Sequence, residues 1–202
     1  MNPIDDLIAR EWRAFDTVKN EGGRANCQDD FETFEIMRKS QFLSWDAATL
    51  ACYHADLQRA SVVGRNLIQE KYARMMASTA PEQYATFAHT LPVLTDWQKT
   101  TIERIVSQQL AWRLDFAKTH PHMSDQARVI RTSEDRAYAT SFETYLRGEL
   151  GTYSEPTLRA YAAMVAAYVA RGDNLTTATM HHIALLYGYT DLAAAEHQLA
   201  QA

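Results

Sequence analysis

The sequence predicts one all-α domain that spans residues 1–202 as a helical bundle of about nine helices. The chain is long enough for one domain with a sizeable core, and 47% of its residues are hydrophobic. It contains only 7 glycines and 5 prolines, which favours a folded protein rich in helix. Apolar residues recur every three or four positions, and no stretch of useful length alternates as a strand would.

The composition also bears on partners and location. The net charge is −5, and there is no basic patch with interleaved aromatic residues, so we expect no nucleic-acid partner. No apolar run reaches the roughly 18 residues of a membrane span, and the polar N-terminus does not resemble a signal peptide. Cys27 and Cys52 are too few for a disulfide framework, which favours a cytoplasmic protein. Both a monomer and a homodimer stay open.

The first helix is predicted over residues 3–19. Asn2 can act as its N-cap, and Pro3 suits the first helical position. Its apolar face consists of Ile4, Leu7, Ile8, Phe15 and Val18. Glu11 lies near the centre of this face, so a negative charge is placed on the side of the helix that should be buried.

The second helix carries the most informative pattern in the chain. The pair Gly22-Gly23 should end what precedes it, and Asn26 with Asp29 predicts a capped start, with the helix running from Cys27 to about residue 44. Its apolar face should contain Phe31, Phe34, Phe42 and Trp45, with Cys27 and Arg38 in the middle and Asp30 and Gln41 at the edge. Arg38 therefore places a positive charge on the buried side.

Caps and breaks predict the remaining helices. The next predicted helices run from residue 44 or 46 to residue 63 and over residues 67–76, and a short helix begins at Pro81. Thr95 with Gln98 forms a capping box for a long helix that extends to residue 119. The helix over residues 67–76 has no clean apolar side, which indicates enclosure on most faces. Residues 120–140 read as a long irregular segment, and helices capped at residues 141, 154 and 174 or 176 follow, with a last helix over residues 192–201.

Burying an unpaired charge costs several kcal/mol, so Glu11 and Arg38 each need a partner. Pairing them with each other resolves both anomalies and is the first structural prediction. For Arg38, a structural ion pair and contact with an anionic ligand in a cavity stay open as alternatives.

The sequence carries no metal or cofactor signature; we expect no cofactor and no metal site, and metal binding through carboxylates alone stays open as an alternative. No glutamate stands three residues before a histidine as in di-iron bundles, and Cys-x-x-Cys and a phosphate-binding glycine loop are absent. Cys27 is a candidate nucleophile, because a helix N-terminus and the nearby Arg24 both favour its thiolate. An inert core cysteine is the alternative reading.

Acid–base chemistry without a cofactor is then the predicted function, of the lyase, isomerase or cyclase type, on an anionic small-molecule substrate. The candidate catalytic groups are Glu11, Asp30, Glu149 and Tyr145, the carboxylates acting as bases with pKa values raised by burial. The candidate substrate-binding residues are Arg24, Arg38, Gln41, Arg74, Glu134 and Arg147. We expect the cavity between the first two helices and residues 131–149. A non-catalytic binding or interaction protein is the alternative, as is a cluster that serves fold specificity alone.

Four sequence runs carry a resemblance to a known family. They are NEGGRANCQDD at residues 20–30, KYARMM at 71–76, TSED at 132–135 and TSFETYLRGEL at 140–150. Through them the chain resembles the bacterial domain-of-unknown-function family 4125 over nearly its whole length. The resemblance implies no particular activity. Its motifs coincide with the polar residues named above, which favours a shared site over scattered salt bridges.

Overall fold

The computed structural model describes residues 2–19, 23–137 and 139–201, and within these ranges the chain is all-α, as predicted. The eleven α-helices in these ranges are α1 (Pro3–Asp16), α2 (Phe31–Leu43), α3 (Ala47–Val62), α4 (Leu67–Thr79), α5 (Pro81–Phe87), α6 (Asp96–Thr119), α7 (Pro121–Asp125), α8 (Phe142–Leu150), α9 (Glu155–Arg171), α10 (Leu175–Leu186) and α11 (Leu192–Leu199). The count exceeds the predicted nine partly because α7 lies in the segment that was expected to be irregular. In that segment an isolated bridge pairs Arg136 with Ala139.

Side-chain caps begin most of the helices where the sequence predicts them. In each case a side-chain oxygen accepts a hydrogen bond from a backbone N–H of the first turn, which would otherwise lack a partner. The predicted caps that do this are Asn2, Asp46, Asn66, Thr95, Ser141, Ser154 and Asn174. Gly172 ends α9 with a φ of 72°, a left-handed conformation that favours glycine.

The predicted start of the second helix is wrong. Asn26–Asp29 forms a separate 3-10 helix, and α2 begins at Phe31 because the Asp30 side chain accepts from the backbone N–H of Thr33 at 3.0 Å. Cys27 consequently lies outside α2 and is exposed, not buried in its apolar face. Of the two glycines proposed as a helix break, Gly23 has a φ of 87°, and Gly22 lies outside the described residues.

The helices that carry the buried charges are neighbours around one core. Helix α1 packs against α2, α3 and α4, and α4 packs closely against α8. The long α6 packs against α8, α9 and α10. Large buried aromatic side chains fill the space between them, including Phe42, Trp45, Tyr53 and Tyr161. Residues from α1, α2, α4 and α8 can therefore meet inside the protein.

The close approach of α4 and α8 depends on Gly148. A β-carbon at this position would lie 2.9 Å from Cγ of Met75 and 3.0 Å from the backbone oxygen of Lys71. We expect Gly148→Ala to lower the free energy of unfolding by about 1–3 kcal/mol, since the Lys71 backbone must shift. At Gly151 the nearest atom is the flexible side chain of Arg74, also at 2.9 Å. Gly151→Ala is the matched control, and urea unfolding curves for both variants make the comparison. Equal losses would contradict the tight contact at Gly148.

Candidate functional site

Four ionised side chains from four helices meet in the core. We call them the ionic cluster: Glu11 from α1, Arg38 from α2, Lys71 from α4 and Glu149 from α8. Each has at most 5% of its surface exposed. Charged side chains are rarely buried to this degree unless they are paired. The cluster is therefore the main chemical feature of the protein's interior.

The predicted pair of Glu11 and Arg38 is confirmed. The Arg38 guanidinium binds the carboxylate with two parallel hydrogen bonds, Nε to Oε2 at 2.5 Å and Nη2 to Oε1 at 2.7 Å. The hydroxyl of Tyr53 also donates to Glu11 Oε1 at 2.5 Å. Burial alone would lower the pKa of Arg38, but the carboxylates of Glu11 and Glu149 raise it well above its ordinary value. Arg38 thus stays protonated, and the carboxylates of Glu11 and Glu149 balance its charge.

Glu149 is the second carboxylate of the cluster. Its Oε1 accepts from Gln41 Nε2 at 3.1 Å and from the Tyr153 hydroxyl at 2.9 Å, with both Nη atoms of Arg38 at 3.3 Å. Gln41 in turn accepts from Arg38 Nη1 at 2.5 Å. Burial alone would raise the pKa of Glu149, but Arg38, Lys71 and these hydrogen bonds lower it to about 2. The expected rise in its pKa is therefore wrong, and the side chain stays ionised.

Lys71 connects the buried cluster to the surface. Its Nζ lies 3.6 Å from Glu149 Oε2 and donates a hydrogen bond of 2.6 Å to the hydroxyl of Tyr145. The same ammonium lies 4.3 Å from the centre of the Tyr145 ring. Burial alone would lower the pKa of Lys71, but Tyr145 and Glu149 raise it. Lys71 is therefore a charged donor aimed at Tyr145, which is only half-buried.

Further polar groups surround Tyr145. The exposed Arg128 places its guanidinium 4.8 Å from the centre of the Tyr145 ring. The centre of the Tyr72 ring lies 5.2 Å from Nζ of Lys71. Burial raises the pKa of Tyr72 to about 12; Lys71 opposes the rise, while Tyr145 and Cys27 add to it. Cys27 thus lies within electrostatic range of this group. We call Lys71, Tyr72, Tyr145 and Arg128 the outer site.

Two predicted residues before α2 organise the loop there and do not join the cluster. Asp30 is the N-cap of α2, and its hydrogen bonds with Thr33 lower its pKa, the opposite of the predicted rise. Arg24 is exposed and bridges Asp29 at 2.7 Å and Asp16 at 2.6 Å. These contacts fasten the loop to the end of α1.

Three further predicted residues also lie apart from the cluster. Arg147 binds both carboxylate oxygens of Glu103, at 2.7 and 2.9 Å, across the gap to α6. Glu134 accepts from a backbone N–H within its own turn, at 2.8 Å. Arg74 donates to the backbone oxygen of Pro92 at 2.7 Å. Of the eleven candidates, the structure brings together Glu11, Arg38, Gln41, Tyr145 and Glu149.

Sequence reasoning missed several members of this site. Tyr53 and Tyr153 lie in apolar patterns and are indistinguishable there from core tyrosines, yet both donate to the buried carboxylates. Lys71 had a signal, because its helix lacks a clean apolar side. Gln28 is also buried; its amide donates to the backbone oxygens of Phe15 and Val18 at 2.9 and 3.1 Å and so anchors the loop before α2.

Two prominent surface cavities lie elsewhere. One is next to the end of α3, and the other is lined by residues of the segment 129–139. The cavity predicted between the first two helices and residues 131–149 is not one of these two. Among the described residues, no group of three or more His, Cys, Asp and Glu side chains is arranged to hold a metal ion. None of the helices in the described ranges combines the length and the apolar character of a membrane span.

Fold and site together define the class: an all-α protein whose core encloses two carboxylates and two cations in mutual contact. The family model described as "Protein of unknown function (DUF4125)" matches residues 2–197, so the chain belongs to this family. This match confirms the resemblance drawn from the sequence runs. Comparisons with curated proteins and with solved structures give no match.

Proposed function

We propose that this protein is an enzyme that needs no cofactor and transfers a proton to or from an anionic small molecule at the outer site. The observation that supports the proposal best is the 2.6 Å hydrogen bond from the buried Lys71 ammonium to the half-buried Tyr145 hydroxyl. A proton donor or acceptor must reach the substrate within hydrogen-bond distance, and Tyr145 is the partly exposed residue next to the buried Lys71.

The chemistry follows from the charges around Tyr145. When its hydroxyl gives a proton to the substrate, a phenolate forms, and the Lys71 ammonium already points at that oxygen. When the substrate returns a proton, the phenolate accepts it. Arg128, exposed beside the ring, can bind a carboxylate or phosphate of the substrate through its planar group of donors. A lyase, isomerase or cyclase reaction needs such a transfer.

The buried cluster then has a supporting role. Glu149, with a pKa of about 2, is too weak a base for proton abstraction near neutral pH and instead holds the Lys71 ammonium in place. Arg38, which is itself paired with Glu11, also contacts Glu149. Because several helices contribute to this network, the donor at Tyr145 is positioned by the rigid core and not by a loop.

Replacing Tyr145 with phenylalanine tests the proposal. Small carboxylates and phosphates are first screened for thermal stabilisation, and the hits are assayed for turnover. We expect Tyr145→Phe to keep the affinity for a hit and to lose about 10²–10⁴-fold in rate, because the ring stays and only the proton-transferring hydroxyl is removed. Tyr187→Phe, at an exposed position after α10, is the control and should be unaffected. Full turnover by Tyr145→Phe would contradict the proposal.

A non-catalytic binding or interaction protein with a structural ionic cluster is the second candidate. The charge balance favours it, since two carboxylates and two cations neutralise one another and form the contacts described above. Binding of a hit without turnover would support this candidate. In either case we propose a cytoplasmic protein, because both cysteines are free thiols, which suits a reducing compartment. Light scattering would decide between a monomer and a homodimer.

A further inference from the structure

A groove of about 570 Å³ lies at the surface where α3 ends, and none of the residues of the outer site lines it. Its walls come from the last turn of α3, from residues 92–98 and from the turn over residues 151–154. The lining is mostly apolar. Three of its valines, Val62, Val63 and Val93, are 86%, 67% and 91% exposed.

Such a concentration of exposed valines is unfavourable in water. Single exposed apolar residues are common on protein surfaces, but a contiguous apolar patch along a concave surface typically marks a binding site. These three valines come from two separate segments and meet at the same groove. The walls therefore suit the apolar body of a ligand of moderate size.

Arg74 places a positively charged guanidinium beside this groove. Its side chain passes over Gly151 and donates from Nη2 to the backbone oxygen of Pro92, and both of these residues line the groove. Its Nε is buried and has no hydrogen-bond partner among the described residues. No carboxylate in the described part of the chain forms an ion pair with it. Its guanidinium can therefore accept an anionic partner.

The other charges at the groove are already matched. Arg65 binds both oxygens of Glu70 at 2.7 Å, and Asp56 is held by Arg59 and by the backbone N–H of Ser154. Burial lowers the pKa of Arg74 despite the opposing effects of Tyr84 and Glu70, and the nearby positive charge of Arg65 adds to the lowering. An anion next to Arg74 would offset both. Among the described residues, the charge beside the groove that has no ion-pair partner is thus positive.

We propose that this groove binds a free amphiphilic carboxylate, with the carboxylate at Arg74 and the hydrocarbon chain along Val62, Val63 and Val93. Charge complementarity selects an anionic head group, and the apolar walls select the chain. A monomeric acid in solution is the occupant, and a lipid bilayer is not. The site is independent of the proton transfer proposed at Tyr145, so either can fail without the other.

Titration calorimetry with decanoate, below the concentration at which it forms micelles, tests the proposal. We expect saturable binding of one decanoate per chain and binding of neutral decanol that is about tenfold weaker or more. Arg74→Gln should weaken decanoate binding about tenfold or more, since a charge-assisted hydrogen bond is lost. Val93→Asp should do the same by placing a negative charge beside the hydrocarbon chain.

Two variants outside the groove provide matched controls. Arg171→Gln and Val169→Asp make the same substitutions at exposed positions near the end of α9 and should bind decanoate like the wild type. The absence of saturable binding would overturn the proposal. So would equal affinities for decanoate in the wild type, Arg74→Gln and Val93→Asp. Cosedimentation with anionic phospholipid vesicles in the absence of decanoate binding would also overturn it, because the surface would then dock on a membrane.

Discussion

Arg38→Met is expected to lower the free energy of unfolding by about 3–5 kcal/mol, the usual cost of breaking a buried ion pair from one side. The substitution keeps an unbranched side chain of similar length, so the main loss is the charge. Glu11, which has no exposed surface, would then keep, among its contacts with the described residues, only the hydrogen bond from Tyr53. Glu149 would lose the cation that lies 3.3 Å from its Oε1.

Urea unfolding followed by circular dichroism measures this loss. Arg10→Met is the matched control, because Arg10 pairs with Asp6 at 2.7 Å nearer the surface and should contribute at most about 1 kcal/mol. The double variant Glu11→Met with Arg38→Met should be less destabilised than the sum of the two single variants, since neither leaves the other unpaired. If Arg38→Met and Arg10→Met unfold at the same urea concentration, the buried pair is not a major source of stability.

Helix boundaries could be predicted from the sequence wherever a single good cap precedes an apolar stripe. Thr95 with Gln98 and Ser154 are such positions. The start of α2 could not be predicted, because three suitable caps, Asn26, Asp29 and Asp30, lie within five residues. The choice of Asp30 depends on how Gln28 ties the preceding loop to the end of α1, which is a tertiary contact.

The contact between Glu11 and Arg38 could be predicted from the sequence for a physical reason. Glu11 and Arg38 each interrupt an apolar helix face, and opposite charges on neighbouring buried faces must meet. The partners that are tyrosines gave no such signal, since a tyrosine in an apolar stripe satisfies the pattern whether or not its hydroxyl has a special role. The partner of Arg147 was harder still to predict, because Glu103 lies forty-four positions away in the sequence.

The pH dependence of stability follows from Glu149. Its pKa in the folded protein is about 2, against an ordinary value of 4.5, because Arg38, Lys71 and the hydrogen bonds of Tyr153 and Gln41 outweigh the effect of burial. A group whose folded pKa is lowered contributes stability above its unfolded pKa and loses it as the pH falls toward the folded pKa. Glu149 should therefore contribute about 3 kcal/mol at neutral pH, most of it lost between about pH 5 and about pH 2.

Urea unfolding of the wild type and of Glu149→Gln at several pH values isolates this contribution. Near pH 7 the variant should be the less stable protein, since Lys71 loses its carboxylate partner. The difference should shrink by about 2 kcal/mol by pH 3, because Glu149 of the unfolded wild type, with its ordinary pKa of 4.5, binds a proton there while the folded protein does not. Glu155→Gln, which breaks an exposed pair with Arg159, should instead follow the wild type at every pH. A constant difference between the wild type and Glu149→Gln would mean that Glu149 titrates normally and that the cluster does not hold it ionised.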